Sequence, residues 1–200
     1  MFLDPAKPIA TCAQSSCTGC PLSDSIHCHF QCKYLARFLA VVLPAFIVAI
    51  IGVYWISVWY LIPWVIFFVA YFGLIEIRVM CSHCPHYAEP GESLKCWANY
   101  GSPKLWRYRP GPMSLIEKVV FWAGLAGVFL YPLLLFLVYA DWTLAVVYTM
   151  LMAVAYLLMM RKSMCSQCMN FACPLNLVDQ ETREEFFERN PEVRIAWKGS

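Results

Sequence analysis

Charge is scarce in this chain. Asp, Glu, Lys and Arg together make 14% of its 200 residues, against about a quarter in soluble domains. Hydrophobic residues make 60%, and the mean hydropathy is +0.57. The deficit is local: residues 38–77 carry one formal charge, Glu76, and residues 119–160 carry only Asp141. Neither run contains a cysteine or a histidine. Ion and proton pathways through a bilayer need ionisable groups inside it, so a pump or ion transporter is excluded. Haem held by two imidazoles within the membrane is excluded for the same lack of ligands. The first 35 residues have no apolar stretch of the signal-peptide kind, so a cleaved leader is not expected. A net charge of +2 gives no basic excess that would call for nucleic acid.

What is there begins with the two apolar runs. Each is about twice the ~20 residues that cross a bilayer as a helix, so each reads as a hairpin of two spans. The expected architecture is an all-α integral membrane protein with four transmembrane helices in two tandem hairpins, near 38–57, 60–77, 119–138 and 143–160. Trp55, Ser57, Trp59, Tyr60 and Trp64 mark the first turn, because amphipathic rings favour the membrane–water interface. Tyr139-Ala140-Asp141-Trp142 marks the second. Pro44, Pro63 and Pro132 are candidate kinks, and Gly124 and Gly127 are candidate close-packing positions. All 15 Lys and Arg lie outside these turns, in 1–37, 78–118 and 161–200 or at their edges. Positive residues near span ends stay cytoplasmic, which predicts a cytoplasmic-membrane protein with both termini and the 78–118 loop inside.

The same three segments hold all 11 cysteines and all four histidines. The N-terminal segment has Cys12, Cys17, Cys20, Cys28 and Cys32 with His27 and His29. The loop has Cys81, Cys84 and Cys96 with His83 and His86, and the C-terminal segment has Cys165, Cys168 and Cys173. Thiols used only for packing would scatter into the helices, where cysteine behaves as a small hydrophobe. The cytosol disfavours structural disulfides. Each segment carries a C-x2-C pair and a third cysteine: Cys17/Cys20/Cys28, Cys81/Cys84/Cys96 and Cys165/Cys168/Cys173. Two intervening residues let one turn of backbone present both sulfurs to one centre, so these nine are the candidate ligands of a metal-binding cytoplasmic cap. His27, His29, His83, His86, Cys12 and Cys32 are candidate extra ligands, with Cys12 and Cys32 the first candidates for spare thiols.

The metal stays open at this level. Zinc takes four Cys or His ligands. Iron–sulfur clusters take four thiolates and often a Cys-Pro, and Cys-Pro occurs at Cys20-Pro21, Cys84-Pro85 and Cys173-Pro174. Two [4Fe-4S] clusters would use eight cysteines and leave three. The chain also repeats itself: Met80-Cys81-Ser82-x-Cys84 returns as Met164-Cys165-Ser166-x-Cys168, each after an apolar hairpin, in the manner of parallel repeats about the membrane normal. Four spans with inner cysteine–proline clusters resemble the membrane-bound quinol dehydrogenases that serve periplasmic nitrate reductases. That family carries C-x3-C-P motifs and iron–sulfur clusters, whereas the one C-x3-C here, Cys28 to Cys32, precedes Lys33. The resemblance is architectural and implies electron transfer. It assigns no site residue.

Those readings predict a membrane iron–sulfur electron-transfer protein, an oxidoreductase subunit in contact with lipid, quinone and a ferredoxin-like partner. The alternatives are a zinc-bound scaffold and a thiol-based metal or redox handler. Residues 85–118 should be ordered around Trp97, Tyr100, Trp106 and Tyr108, with Lys104, Arg107 and Arg109 free for headgroups or an acidic partner. Residues 179–198 should form one amphipathic helix with Phe186 and Phe187 on its apolar side.

Overall fold

The computed structural model describes residues 19–28, 30–159 and 164–198. Among them it is all-helical, without strands. Three helices are long and apolar enough to cross a membrane: Cys32–Ile56, Val58–His83 and Leu115–Val138, of 25, 26 and 24 residues. They overlap the first three expected spans, the first stopping one residue short at Ile56. A shorter apolar helix, Trp142–Leu158, follows the third. These helices are consistent with a membrane helical protein.

The first helix, α1 (Cys32–Ile56), ends at Ser57, whose extended backbone breaks the helix while its side chain accepts from the Trp59 amide. The next, α2 (Val58–Ala70), turns back along it, and Phe46 meets Phe68 edge to face at 5.1 Å. Between α4 (Leu115–Val138) and α5 (Trp142–Leu158), Ala140 takes φ 55° and Asp141 caps α5 by accepting from the Leu144 amide. Phe136 and Tyr148 then face each other across that hairpin at 5.9 Å. Both pairs lie symmetrically about their turns, as antiparallel hairpins require. Ala45, Ala49, Val53, Trp64, Phe136, Ala145 and Tyr148 form the shared apolar core. Outward-facing side chains are large and apolar, such as Ile47, Ile66, Leu134 and Met150.

Proline and glycine shape this interior. Pro132 has no amide hydrogen, so the Val128 carbonyl one turn earlier loses its helical donor. The indole of Trp64 supplies the bond, Nε1 to Val128 O at 2.9 Å. Trp64 is therefore buried in the bundle and does not join the interfacial rim, where the turn cluster placed it. Trp55 and Trp59 do stand at the exposed turn. Gly124 and Gly127 are close-packing positions, but the partners are rings: a Cβ on Gly124 would lie 1.8 Å from the Tyr71 ring, and one on Gly127 2.7 Å from Phe67. Tyr71 also donates to Phe121 O at 2.7 Å.

After α2 the helix widens. Residues Tyr71–Ile75 form a π-turn in which the Glu76 amide donates to Tyr71 O. One extra residue turns everything downstream by about 100° around the axis. The short continuation α3 (Glu76–Val79) follows in this new phase, with Glu76 and Ile77 facing inward and buried.

Residues outside the helices fold as well. The segment before α1 packs Leu22 and Ile26 against Met169, Phe171, Phe186 and Phe187 of the C-terminal segment. Val79 and Met80, at the end of α3, pack with Phe121, Ala172 and Cys173. The three cysteine segments thus meet one another. The tail forms two helices, α6 (Gln180–Arg189) and α7 (Pro191–Lys198), where one was expected. Asn190 precedes a proline, which disfavours helical backbone and ends α6. Phe186 and Phe187 are buried as expected.

Candidate metal centre

The repeated motif folds the same way twice. Met80 and Met164 both take φ −119°, each starts a three-residue 3₁₀ turn, and the second cysteines sit at φ −76°, ψ 135° (Cys84) and φ −83°, ψ 127° (Cys168). In each copy the residue after the serine donates back to the methionine carbonyl: His83 to Met80 at 3.1 Å and Gln167 to Met164 at 3.2 Å. Beyond that turn the copies diverge. His83 reaches Gly111 O through Nδ1 at 3.1 Å, and its Nε2 stands 3.3 Å from Glu117. Gln167 instead donates to Asp24 O, tying the C-terminal segment to the N-terminal one.

Cys96 reaches this region on a small hairpin. Leu94 N donates to Ser102 O at 2.8 Å and Lys104 N to Glu92 O at 2.8 Å, with Gly101 at φ 83° making the turn. The amides of Ala98 and Asn99 oppose the upward shift that burial gives the Cys96 thiol. The amides of His86, Asn170 and Leu175, each two residues further on, likewise oppose the rise of Cys84, Cys168 and Cys173. The Asn170 bond measures 3.4 Å. Cys81 is held differently: the Asn99 side-chain amide lies 3.1 Å from its sulfur and 3.0 Å from the buried Glu76 carboxylate.

The loop and the C-terminal segment pack together where Val79 and Met80 meet Ala172 and Cys173. Burial pushes Cys168 well up, and the charges of Cys84, Cys96 and Cys173 push it further. Cys84 rises through burial and then through Cys96 and Cys173. Cys173 is pushed up to about 12 by burial, opposed by the Leu175 amide and reinforced by Cys165 and Cys96. Cys165 rises to about 11 by burial alone. Burial makes each of these thiols costly to ionise, so thiolate forms here need a positive partner. The amides aimed at them suit that anionic form. Among the described residues, no three Cys, His, Asp or Glu side chains close on a single ion.

The other sequence candidates are placed as follows. Cys20 and Cys28 pack at the edge of the apolar cluster around Phe171. Cys32 is exposed on the first turn of α1. His27 is buried and stacks on Tyr34 at 3.7 Å, and burial lowers its pKa to about 4, with Lys33 and Arg37 adding to that. His86 is buried, with Nδ1 2.9 Å from Glu89 Oε1. Cys12, Cys17 and His29 lie outside the described residues. The expected free cations are engaged within the fold. Arg109 pairs with Glu117 and donates to Ser82, and Lys104 donates to Glu89 O. Within the loop, Tyr87, Leu94, Trp97 and Tyr108 are buried, while Tyr100 and Trp106 are exposed.

Sequence reasoning missed Glu76 and Asn99. Glu76 registers in the sequence only as the lone charge of an apolar run, and Asn99 as one residue of a polar loop. The π-turn that aims Glu76 inward has no signature in composition. No protein-family model, curated protein or solved structure matches the chain.

Proposed function

We propose that the chain is a four-span membrane protein whose inner cap holds iron–sulfur clusters and passes electrons between a cytoplasmic donor or acceptor and a membrane quinone or partner subunit. The carrying observation is that the two Met-Cys-Ser-x-Cys turns fold alike and their segments meet, Val79 and Met80 packing with Ala172 and Cys173. When bound, such a cluster accepts and returns single electrons. The chain's contribution is to exclude water, supply thiolates and aim N–H groups at them, which tunes the potential.

The fourth span is α5, whose 17 residues sit at the short end of what crosses a bilayer. With four spans and Lys and Arg confined to one side, both termini and the loop lie in the cytoplasm. A second reading, a zinc-folded scaffold, draws on the His86–Glu89 pair, the carboxylate–histidine arrangement common among zinc ligands. Anaerobic purification with iron, sulfide and zinc analysis separates the two. Iron with equal sulfide and visible absorption that bleaches on reduction supports electron transfer, and stoichiometric zinc in a colourless protein refutes it.

A further inference from the structure

We infer that the cavity between the two tail helices binds a phosphate group, carried by a lipid headgroup or free in solution. Gln180, Arg183, Glu184 and Phe187 recur at helical spacing and share one face of α6. Arg194 and Trp197 do the same on α7. With Val178 they line a cavity of about 490 Å³, a size that takes a small ligand. Part of its wall is apolar, with buried Phe187 and the Trp197 ring 5.7 Å apart. The rest carries two guanidinium groups brought from different helices.

These two cations are not neutralised within the fold. Arg194 reaches Glu184 at 3.6 Å, a pair largely open to solvent. Arg183 has no carboxylate partner among the described residues, and its guanidinium stands over the Phe171 ring at 5.1 Å. The Nε of each arginine is buried without a hydrogen-bond acceptor. A buried donor left unpaired is costly, and an oxyanion in the cavity would supply both charge and acceptors. A flat carboxylate is satisfied by one guanidinium fork, whereas the oxygens of a phosphate point in several directions and suit two.

Position says which phosphates can reach the site. Trp197 also packs against the cluster of Val79, Met113, Phe121 and Ala172, so the cavity adjoins the first two turns of α4. Leu177 and Ile195, next in the chain to Val178 and Arg194, are apolar yet 51% and 71% exposed. Beside the start of a membrane span, that combination matches headgroup depth, where basic pockets hold anionic lipids. The inference uses the membrane reading and is independent of any metal in the cap.

The test uses the full chain in non-ionic detergent, stripped of phospholipid. Native mass spectrometry counts bound phosphatidylglycerol and phosphatidylcholine, and isothermal titration measures inorganic phosphate. Saturable binding of phosphatidylglycerol in preference to phosphatidylcholine supports the site and assigns it to lipid. Saturable binding of inorganic phosphate without a lipid preference supports it as a site for free phosphate. In either case Arg183→Ala and Arg194→Ala should each weaken binding by about tenfold or more. Gln180→Glu adds a negative charge at an exposed lining position and leaves both arginines in place, so it should weaken binding at unchanged thermal stability. Wild-type protein that binds neither probe, or arginine variants that bind as the wild type does, overturns the inference. Should the alanine variants fail to fold, Gln180→Glu decides alone: weaker binding supports the site, and unchanged binding overturns it.

Discussion

Trp64→Phe removes one hydrogen bond from the bundle interior, and the sequence carries its own control. In the native chain the Val128 carbonyl has no helical donor, because residue 132 is proline, and the Trp64 indole replaces it at 2.9 Å. Both side chains are buried. Leaving a buried carbonyl unpaired costs about 1–3 kcal/mol, and membrane hydrogen bonds measured by double-mutant cycles average about 0.6 kcal/mol. A loss of about 1–2 kcal/mol is therefore expected, including the smaller ring. Pro132→Ala returns an amide hydrogen to position 132, aimed at the same carbonyl. In that background Trp64→Phe should cost about 1 kcal/mol less, since only packing remains to be lost. Unfolding of the four chains in mixed micelles, followed by far-ultraviolet circular dichroism, gives the coupling. Equal costs in the two backgrounds, within about 0.3–0.5 kcal/mol, would refute the idea that Trp64 substitutes for the missing donor.

Gly124→Ala should destabilise by about 3 kcal/mol, the upper end for overpacked cores, because its Cβ lands on a Tyr71 ring fixed by the bond to Phe121 O. Gly73→Ala, with open space around it, should be near neutral in the same assay. In metal-free protein the thiols of Cys165 and Cys173 are raised from 9.0 to about 11 and 12. Their contribution to folding is thus complete below about pH 9 and is lost as pH rises through those values. Protease resistance of the loop and C-terminal segment should fall over that window in the metal-free protein and hold in the metal-bound one. Resistance that stays level in both would show that these thiols are not buried in the free chain. On intact cells an impermeant thiol reagent should label nothing, and labelling of Cys96 from outside would reverse the proposed orientation.

The sequence by itself determined the helical membrane character, because two long runs nearly free of charge leave the chain no other solvent. It determined the turns, where Ser57 and Asp141 interrupt the runs, and the repeat, because both copies of Met-Cys-Ser-x-Cys fold as the same 3₁₀ turn. These are local properties, set by hydropathy and short-range backbone geometry. Only the tertiary structure decided that the loop and the C-terminal segment meet: Val79 and Met80 pack against Ala172 and Cys173, far along the chain. It also decided that Trp64 turns inward to a carbonyl freed by Pro132, and that an extra residue in the π-turn carries Glu76 to the Cys81 sulfur. Each of these joins segments whose spacing along the chain says nothing about their distance, because contact between them is created only when apolar faces are buried together.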